Sequence, residues 1–409
     1  MSVTSPICGS CGAAGLELLL SLGRTPLANS LLTQEQLSQP EPSFPLDLSF
    51  CPHCTLVQIT EVVPPEQMFS DYLYFSSFSD TMLRQSRALV ERLIAQRSLN
   101  QNSLAAEIAS NDGYLLQYYH QAGIPVLGIE PAANIAPVAR ERGIRTLCEF
   151  FGEPLAQQLS ADGERADIIH ANNVMAHVPD LNGVVQGIQL FLKDDGVAVI
   201  ETPYVKDMID RCEFDTIYHE HLYYYSLTAL QKLFERHGLI IQDVERIPIH
   251  GGSLRVFAAQ ANRQPTARVQ AMLDEEAAWG VHRVEFYQDF ARRVDELKQS
   301  LRSLLLDLKQ QGKRIAAYGA AAKGSTLLNT YGIGTDILEF VVDRSPHKQN
   351  RYMPGVHIPI YGPEKLLEAM PGFVLLLVWN FADEILEQQA EYCRRGGQFI
   401  IPIPQVRVV

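Results

Sequence analysis

The chain has 409 residues, which is too long for one ordinary hydrophobic core and long enough for two or three domains. Its apolar fraction of 46% and charged fraction of 20% are typical of a globular protein, and its net charge of −13 argues against nonspecific binding to nucleic acid. No run of 18 apolar residues is present, and the N-terminus has neither a basic nor an apolar stretch. We therefore expect a cytoplasmic protein with no nucleic-acid or membrane partner.

The first feature along the chain is a pair of Cys-x-x-Cys motifs, Cys8 with Cys11 and Cys51 with Cys54. Small turn residues accompany each pair, a geometry in which two thiolates converge on one metal ion. Two such knuckles predict a closed tetrahedral four-sulfur site, which is structural rather than catalytic. We predict one zinc ion per chain, in a domain that spans residues 1–68. Four reduced thiols without a metal are the alternative.

An aromatic and hydroxyl-rich stretch, DYLYFSSFS, opens the next predicted domain. Tyr72, Tyr74, Ser76 and Ser77 in this stretch suit a polar pocket. Packing of a linker against the next domain is the alternative for its phenylalanines. The stretch DTMLRQSRALVERLIAQR that follows is strongly helical in pattern.

Residues 103–131 have the pattern of one βαβ unit: an apolar run, a tight glycine turn, a helix and a second run, VLGIEP. A carboxylate that closes the second strand can accept both hydroxyls of a ribose. The turn lacks the three glycines of a dinucleotide fingerprint, and an acid at the end of the first strand would repel phosphates. A nucleoside that carries a cation, S-adenosylmethionine (SAM), is the predicted ligand. A buried βαβ unit without a ligand is the alternative. The residues expected at this site are Glu107, Ala109, Ser110, Asn111, Gly113, Glu130 and Pro131.

Alternation of strands and helices continues to residue 245 and predicts a doubly wound parallel sheet within a middle domain, residues 69–245. The ligand crevice of such a sheet lies at the carboxyl ends of its strands. Asn172, Asn173 and His177 follow the fourth predicted strand, so we expect them at that rim. His177 as a simple helix-start residue is the alternative.

Residues 218–225, YHEHLYYY, contain four tyrosines, two histidines and one glutamate. No amphipathic helix or strand needs such a cluster, and the i, i+4 spacing of a helical metal motif is absent. Glutamate, histidine and tyrosine together suit proton transfer, because burial and mutual contact can move their pKa values toward neutrality. A polar loop held by internal hydrogen bonds is the alternative.

The motif HGGSLR predicts a nest of backbone donors at Gly251, Gly252 and Ser253, with His250 and Arg255 beside it. Such a nest can hold an anion such as phosphate. A plain hairpin turn is the alternative.

The third predicted domain spans residues 246–409 and includes charged, bridging helices at 264–310. Its stretch KRIAAYGAAAKG, followed by ILEFVVDRS, formally matches a dinucleotide-binding half with Asp343 in the ribose position. The match is weak, because GAAAKG keeps Gly319 but has alanines where glycines should lie. Lys323, at a predicted helix start, is a natural phosphate contact.

Taken together, these features resemble the SAM-dependent sugar C-methyltransferase family, whose members methylate a branch carbon of nucleotide-linked deoxysugars. The resemblance covers essentially the whole chain and lies in the motifs DYLYFSSFS, EIASNDG, GIEP, NNVMAHV, YHEHLYYYS, HGGSLR and GAAAKG. It implies an α/β protein with a class I SAM-methyltransferase doubly wound sheet, a small N-terminal zinc-binding domain and a C-terminal Rossmann-like domain. The zinc ion that it implies is structural.

The resemblance also implies a mechanism. A 4-keto group acidifies the proton on the neighbouring sugar carbon, an enzyme base removes that proton, and the enolate attacks the SAM methyl group. His221 matches the base of the family, and Glu220 is expected to orient it and to balance its charge. Tyr72, His177 and Tyr218 match the residues around the keto group.

For the two ligands, the resemblance implies separate sets of residues. The nucleotide sugar, expected to be dTDP-linked, would contact Tyr223, His250, Gly252, Ser253, Arg255 and Lys323. SAM would contact Ser77, Asn172 and Asn173 in addition to the residues of the βαβ unit. We expect the protein to act as a monomer.

Three other functions remain open from the sequence. A nicotinamide-dependent oxidoreductase would hold its cofactor at Gly319 and Asp343. An O- or N-methyltransferase would need no base next to a ketone. A non-enzymatic zinc-ribbon interaction module would carry a degenerate transferase body.

Overall fold

The computed structural model describes residues 6–64, 76–78, 80–248 and 251–409. Three residues that the sequence analysis places at the site, Tyr72, Tyr74 and His250, lie outside these ranges. Within the described residues the strands form three sheets, of four, seven and six strands. None of the described helices combines the length and the apolar composition that crossing a membrane requires.

The N-terminal sheet is antiparallel and receives one strand from the middle of the chain. Alternate residues of its second strand, Leu46, Leu48 and Phe50, are buried beneath the sheet, as period-2 patterning requires. The strand order is β1-β2-β3-β9, with bounds Glu17–Thr25, Phe44–Phe50, Val57–Ile59 and Tyr223–Tyr224. The aromatic cluster at residues 218–225 therefore belongs partly to the N-terminal sheet.

The central sheet has the order β10-β11-β8-β7-β4-β5-β6, and its strands from β4 to β8 are parallel. The predicted doubly wound sheet is confirmed. The order reverses between β4 and its two neighbours, where such sheets bind ligands at the strand ends. The strands are β4 Ala105–Ile108, β5 Val126–Ile129, β6 Thr146–Leu147, β7 Ala166–Asn172, β8 Leu192–Pro203, β10 Leu239–Ile247 and β11 Ser253–Gln260.

Strand β11 pairs with both β10 and β8, so the central sheet extends past the boundary predicted at residue 245. Helices cover both faces of the sheet, and their apolar stripes complete two cores. These helices are α1 Asp80–Arg97, α2 Leu116–Gln121, α3 Ala136–Glu141, α4 Glu153–Ala161, α5 Leu181–Phe191, α6 Val205–Asp210 and α7 Leu227–Arg236.

The C-terminal sheet has the order β14-β13-β12-β15-β16-β17, and only its last pairing is antiparallel. This is the Rossmann-like arrangement that the sequence predicts. Its strands are β12 Ile315–Tyr318, β13 Val341–Val342, β14 Ile360–Tyr361, β15 Phe373–Leu376, β16 Gln398–Ile401 and β17 Arg407–Val408. Its helices are α10 Ala322–Tyr331, α11 Glu364–Ala369, α12 Ala382–Gln388 and α13 Ala390–Arg394.

Two helices, α8 Ala267–Trp279 and α9 Val284–Gln310, occupy the region predicted to bridge the domains. Helix α9 buries residues three or four positions apart, as an amphipathic helix does. The ring of Tyr287 lies 4.9 Å from that of Phe50 in the N-terminal sheet, and Tyr331 of α10 donates to the Val294 carbonyl. Helix α9 thus contacts both terminal domains.

Candidate active site

The four predicted metal ligands converge in the N-terminal domain. Their sulfur atoms all lie within 4.8 Å of one another, with Cys8 and Cys54 sulfurs 3.4 Å apart and Cys11 and Cys51 sulfurs 3.6 Å apart. A tetrahedral zinc site with Zn–S bonds of about 2.3 Å needs sulfur separations of about 3.8 Å. The donor set therefore fits zinc, and it leaves no ligand position for a substrate.

The turn after β4, which is predicted to contact the methyl donor SAM and is called the donor turn below, contains three residues with positive φ angles. Ala109, Asn111 and Gly113 have φ angles of 52°, 50° and 77°. A β-carbon at Gly113 would lie 3.0 Å from the Ile144 side chain, so both the backbone angle and the space favour glycine. The turn lies at the carboxyl end of β4, where the strand order reverses.

Glu130 lies directly after β5 and closes the same edge. Its two carboxylate oxygens accept the backbone N–H groups of Asn111 and Ala132, each at 2.8 Å. Burial raises its pKa, and these two hydrogen bonds act in the opposite direction. Because each carboxylate oxygen has a second acceptor site, the held carboxylate can still accept two ribose hydroxyls.

Glu107, at the end of β4, is buried, and its Oε2 atom has no hydrogen-bond partner among the described residues. Burial, with the charges of Glu130, Asp112 and Glu201, raises its pKa well above the usual value. A buried carboxylate with a free acceptor fits a cationic ligand and disfavours a phosphate. The site therefore fits SAM.

The other residues expected at the donor site lie around this edge. The Ser110 hydroxyl is buried without a partner among the described residues, as is the Asn172 amide oxygen at the end of β7. Asn173 follows with a φ angle of 56°, and the Ser77 hydroxyl donates to Asp112 of the turn. Pro131 lies next to Glu130, and its carbonyl accepts the Cys148 thiol.

A tight turn brings the candidate catalytic residues together. The N–H of His221 donates to the Tyr218 carbonyl at 2.8 Å, so these residues are the first and fourth of a β-turn. The Tyr218 hydroxyl lies 2.9 Å from His221 Nε2, and His221 Nδ1 lies 3.0 Å from the Thr216 carbonyl. A carbonyl only accepts, so Nδ1 carries the hydrogen and Nε2 has the lone pair that the phenol meets.

His177 lies on the other side of this pair, with its ring 4.8 Å from that of His221. Burial lowers the pKa of His177 to about 4, so its imidazole is neutral near pH 7. The structure thus brings three of the predicted catalytic residues, Tyr218, His221 and His177, into one cluster. A neutral histidine there can donate a hydrogen bond without adding charge.

Glu220, predicted to orient His221, has a different hydrogen-bond partner among the described residues. Both ring nitrogens of His221 already have other partners, and the Thr216 carbonyl fixes the ring. The Glu220 carboxylate accepts the side-chain amide of Asn29 at 2.7 Å instead. It is buried, and burial raises its pKa to about 7. Glu220 is therefore a buried ionisable group in the same turn as His221, and its carboxylate is held by the N-terminal domain.

Sequence reasoning missed Thr216 and Asn29. Thr216 acts through a backbone carbonyl, which no side-chain pattern reports. Asn29 is an isolated polar residue in the segment LANS, 191 positions away from its partner. No local signal in the sequence could have identified either residue.

Tyr223, predicted to contact the substrate, lies away from the cluster. It belongs to β9, is buried, and donates its hydroxyl to the Pro179 carbonyl at 3.2 Å. Its ring packs against Gly9 of the first cysteine knuckle, where a β-carbon would lie 2.3 Å from the phenol oxygen. The structure thus favours a structural role for Tyr223.

The glycine nest does not provide the predicted anion cradle. A β-carbon on Gly252 would meet an Asp207 oxygen at 2.2 Å, and one on Gly251 would meet a Glu213 oxygen at 2.5 Å. Two acidic side chains therefore occupy the space against the nest, where the predicted anion would lie. Ser253 opens β11 and is buried within the sheet.

Arg255 has its own carboxylate partners inside the central sheet. Its guanidinium lies 2.6 Å from Glu201 and 3.1 Å from Glu245, and the side chain is 11% exposed. Because this charge is already neutralised by two acids, a structural role replaces the predicted phosphate contact.

Lys323 is the second residue of helix α10 and faces the middle domain. Its ammonium lies 4.7 Å from the centre of the Trp379 ring and has no hydrogen-bond partner among the described residues. It lowers the pKa values of two buried acids nearby, although burial dominates and raises Glu213 to about 8 and Asp215 to about 6. Lys323 therefore has a buried ammonium without a hydrogen bond among the described residues, in a setting that is less positive than the sequence predicts.

Asp343, the ribose position of the alternative nicotinamide site, is engaged by its own loop. Its two oxygens accept the backbone N–H groups of Ala320 and Ser345, each at 2.8 Å. Lys348 lies 3.8 Å from the same carboxylate. Asp343 therefore has backbone partners for both oxygens, as Glu130 has, and also a cation beside it within the chain.

Comparison with known proteins agrees with this arrangement. Three family models match in succession: a zinc binding domain at residues 8–69, a methyltransferase domain at 81–244 and a C-methyltransferase C-terminal domain at 248–404. C-methyltransferase NovU from Streptomyces niveus is 37% identical over 404 residues, which cover 98% of this chain and 96% of NovU. The chain belongs to the C-methyltransferase family. The family predicted from the sequence motifs is confirmed.

Two solved structures match part of this C-methyltransferase. Magnesium protoporphyrin IX methyltransferase from Synechocystis PCC 6803, with bound SAM, is 14% identical, covers 48% of this chain and 88% of its own, and has a TM-score of 0.34. The PH0226 protein from Pyrococcus horikoshii OT3 is 13% identical, covers 49% of this chain and all of its own, and has a TM-score of 0.38.

As a member of this family, the protein is a SAM-dependent methyltransferase with a zinc-binding domain. The C-methyltransferase therefore combines a closed sulfur cluster, an acidic turn suited to a cationic nucleoside and a tyrosine–histidine pair.

Proposed function

We propose that this enzyme transfers the methyl group of SAM to a sugar carbon next to the ketone of a nucleotide-linked 4-keto-deoxysugar. One observation carries the proposal: His221 Nε2 presents a basic lone pair at 2.9 Å from the Tyr218 hydroxyl. A carbon next to a ketone is a weak acid, so its deprotonation needs a placed base and a donor for the enolate oxygen. An O- or N-methyltransferase has no need for both.

In the proposed mechanism, the Tyr218 hydroxyl turns from His221 to the keto oxygen when the sugar binds. His221 Nε2 is then free to take the proton from the neighbouring carbon. The phenol holds the negative charge that develops on the enolate oxygen. Bound SAM would supply an electrophilic methyl group on a sulfonium centre. As the deprotonated carbon forms its bond to that methyl group, the bond from the methyl group to sulfur breaks, and S-adenosylhomocysteine leaves with the electron pair.

Two neighbours support this proton transfer. Neutral His177 donates toward the reacting group without adding a charge, since its pKa is lowered to about 4. Ionised Glu220 stabilises the imidazolium that forms on His221, which is its neighbour in the turn. The Thr216 carbonyl keeps Nδ1 protonated, so that only Nε2 can act as the base.

For the nucleotide, we propose Lys323 as a phosphate contact, because its ammonium has no hydrogen-bond partner among the described residues. Neither Arg255 nor the glycine nest is part of this proposal. That the nucleotide is dTDP follows from the family resemblance alone.

The proposal is tested with SAM that carries a ¹³C-labelled methyl group and a panel of nucleotide-linked 4-keto-deoxysugars. We expect NMR to show a new carbon–carbon bond to the labelled methyl group at the position next to the ketone. A labelled methyl group on oxygen or nitrogen, or no transfer to any keto sugar, would contradict the proposal.

A further inference from the structure

The turn that carries the candidate catalytic pair is held at its tip by the zinc-binding domain. Its second and third residues are His219 and Glu220. His219 Nε2 lies 3.0 Å from the Pro45 carbonyl, and its ring contacts that of Phe44 with an edge-to-face geometry. Glu220 accepts the side-chain amide of Asn29. Both residues at the tip therefore have partners in the N-terminal domain.

The strand that follows this turn is held by the same domain. Tyr224 and Tyr223 pair with Val57 and Gln58, and the Ile59 N–H donates to the Leu222 carbonyl at 3.0 Å. The zinc-binding sheet is therefore continuous with the catalytic segment. The N-terminal domain thus contacts the catalytic segment through backbone pairing and also through the hydrogen bond from Asn29 to Glu220.

The loop that carries Asn29 is itself anchored to a third part of the molecule. Three residues later, Leu32 forms an antiparallel bridge with Tyr352 of the C-terminal domain, with N–H to carbonyl distances of 3.0 and 2.9 Å. Within the Asn29 turn, the Leu31 N–H donates to the Asn29 carbonyl. The amide of Asn29 is thus presented from a loop that contacts both neighbouring domains.

We infer that Asn29 is a positioning residue for the methyl-transfer site, and that its side-chain amide fixes the Glu220 carboxylate in the turn that carries His221. The inference depends on the proposed function for the role of Glu220 in catalysis. It assigns the zinc-binding domain a direct part in the site, beyond folding.

The surroundings of Glu220 make its protonation state depend on the contact with Asn29. The carboxylate is buried, and no arginine or lysine forms an ion pair with it in the part of the chain that the structure describes. Among the described residues, the titratable groups near it are His177, which interacts with the Glu220 backbone, and the other members of the turn, Tyr218, His219 and His221. Burial raises the pKa of Glu220 to about 7, and the Asn29 amide lowers it. Loss of that amide should therefore favour the protonated acid.

The test compares Asn29→Ala with a matched variant, Asn182→Ala. The Asn182 amide also joins the two domains, at 2.9 Å from the Gly9 carbonyl, but it does not touch the catalytic turn. We expect the acidic limb of the kcat/KM profile to move up by about one pH unit in Asn29→Ala. The activity of Asn29→Ala should then be about 10-fold lower than that of the wild type at pH 6 and close to it at pH 9. Asn182→Ala should keep the wild-type limb.

A second readout needs no sugar substrate. An infrared titration follows the carbonyl stretching band of protonated Glu220. The band is assigned to Glu220 because it is absent in Glu220→Gln. We expect the midpoint of this titration to rise in Asn29→Ala and to stay unchanged in Asn182→Ala.

These results separate the two claims. A Glu220 titration that is the same in Asn29→Ala and in the wild type would overturn the inference, as would an equal loss of activity at every pH. If the wild type failed to methylate carbon, the proposed function would fall, while the infrared titration would still decide the role of Asn29.

Discussion

Tyr218 and His221 are the first and fourth residues of one β-turn, and the phenol oxygen lies 2.9 Å from Nε2 across it. The Thr216 carbonyl, from the same short segment, fixes the tautomer. A few consecutive residues therefore supply both the lone pair and the hydroxyl that an enolate-forming site needs. The rest of the molecule has to place this segment at the edge where SAM binds.

The donor site gives the first prediction. Glu130→Gln replaces one acceptor oxygen with an amide, which then faces a backbone N–H of Asn111 or Ala132 and loses a ribose contact. We expect SAM to bind about 10- to 100-fold more weakly by calorimetry, as for one or two lost charge-assisted hydrogen bonds. Glu141→Gln, at an exposed acid of α3, is the control. Equal SAM affinity in the two variants would place the ribose elsewhere.

Glu107 gives a prediction about pH. Its folded-state pKa is raised, so below the pKa of the unfolded chain both states are protonated and the residue has no effect on stability. As pH rises past that value, the unfolded chain ionises first and stability falls. Glu107→Gln should therefore raise the Tm of the SAM-free protein at pH 7.5 and leave it nearly unchanged at pH 4.

The same variant should lose part of the Tm increase that SAM causes, because the carboxylate balances the charge of the ligand. Thermal unfolding at the two pH values, with and without SAM, measures both effects. A lower Tm at pH 7.5 without SAM would show that Glu107 is satisfied in the absence of a ligand.

Substitution of Arg255 tests whether this residue forms a structural ion pair or contacts a phosphate. Arg255→Ala leaves Glu201, whose side chain is 6% exposed, without its partner. We expect a loss of about 3–5 kcal/mol in the free energy of unfolding. Arg145→Ala breaks a more exposed pair with Glu164 and should cost about 0–1 kcal/mol. If Arg255→Ala kept its stability in urea and instead raised KM for the sugar nucleotide, the phosphate assignment would return.

The cysteine cluster gives the fourth prediction. Cys51→Ser should lose the zinc that the wild type binds at one ion per chain, measured by elemental analysis. It should also lose methyl transfer, because β3 and β9 pair next to the second knuckle. Cys393→Ser, in the C-terminal domain, should keep both zinc and activity. A wild-type preparation that was active without zinc would refute this account of the cluster.

The sequence predicts the parts of the site whose signals are local. The spacing of Cys8, Cys11, Cys51 and Cys54 reports a metal cluster because each knuckle is a single turn. The donor turn is recognisable because Gly113 and the acid after the second strand belong to one βαβ unit. The same reasoning identified the cluster around His221 by its composition.

What sequence reasoning missed depends on pairing between distant segments. Strand β11 has the same apolar pattern whichever sheet it joins, so its place beside β8 could not be predicted. Arg255 meets Glu201 from 54 positions away, and Glu220 meets Asn29 from 191. Such contacts are set by the assembled fold, which no window of sequence contains.

The central claim is that this site removes a proton from a carbon next to a ketone, and one measurement isolates that step. The enzyme is incubated in D₂O with the keto-sugar nucleotide and S-adenosylhomocysteine, which carries no methyl group to transfer. NMR then follows exchange at the carbon. We predict exchange in the wild type and a loss of about 10²–10⁴-fold in His221→Ala, the usual contribution of a general base. Exchange at the wild-type rate in His221→Ala would contradict the account.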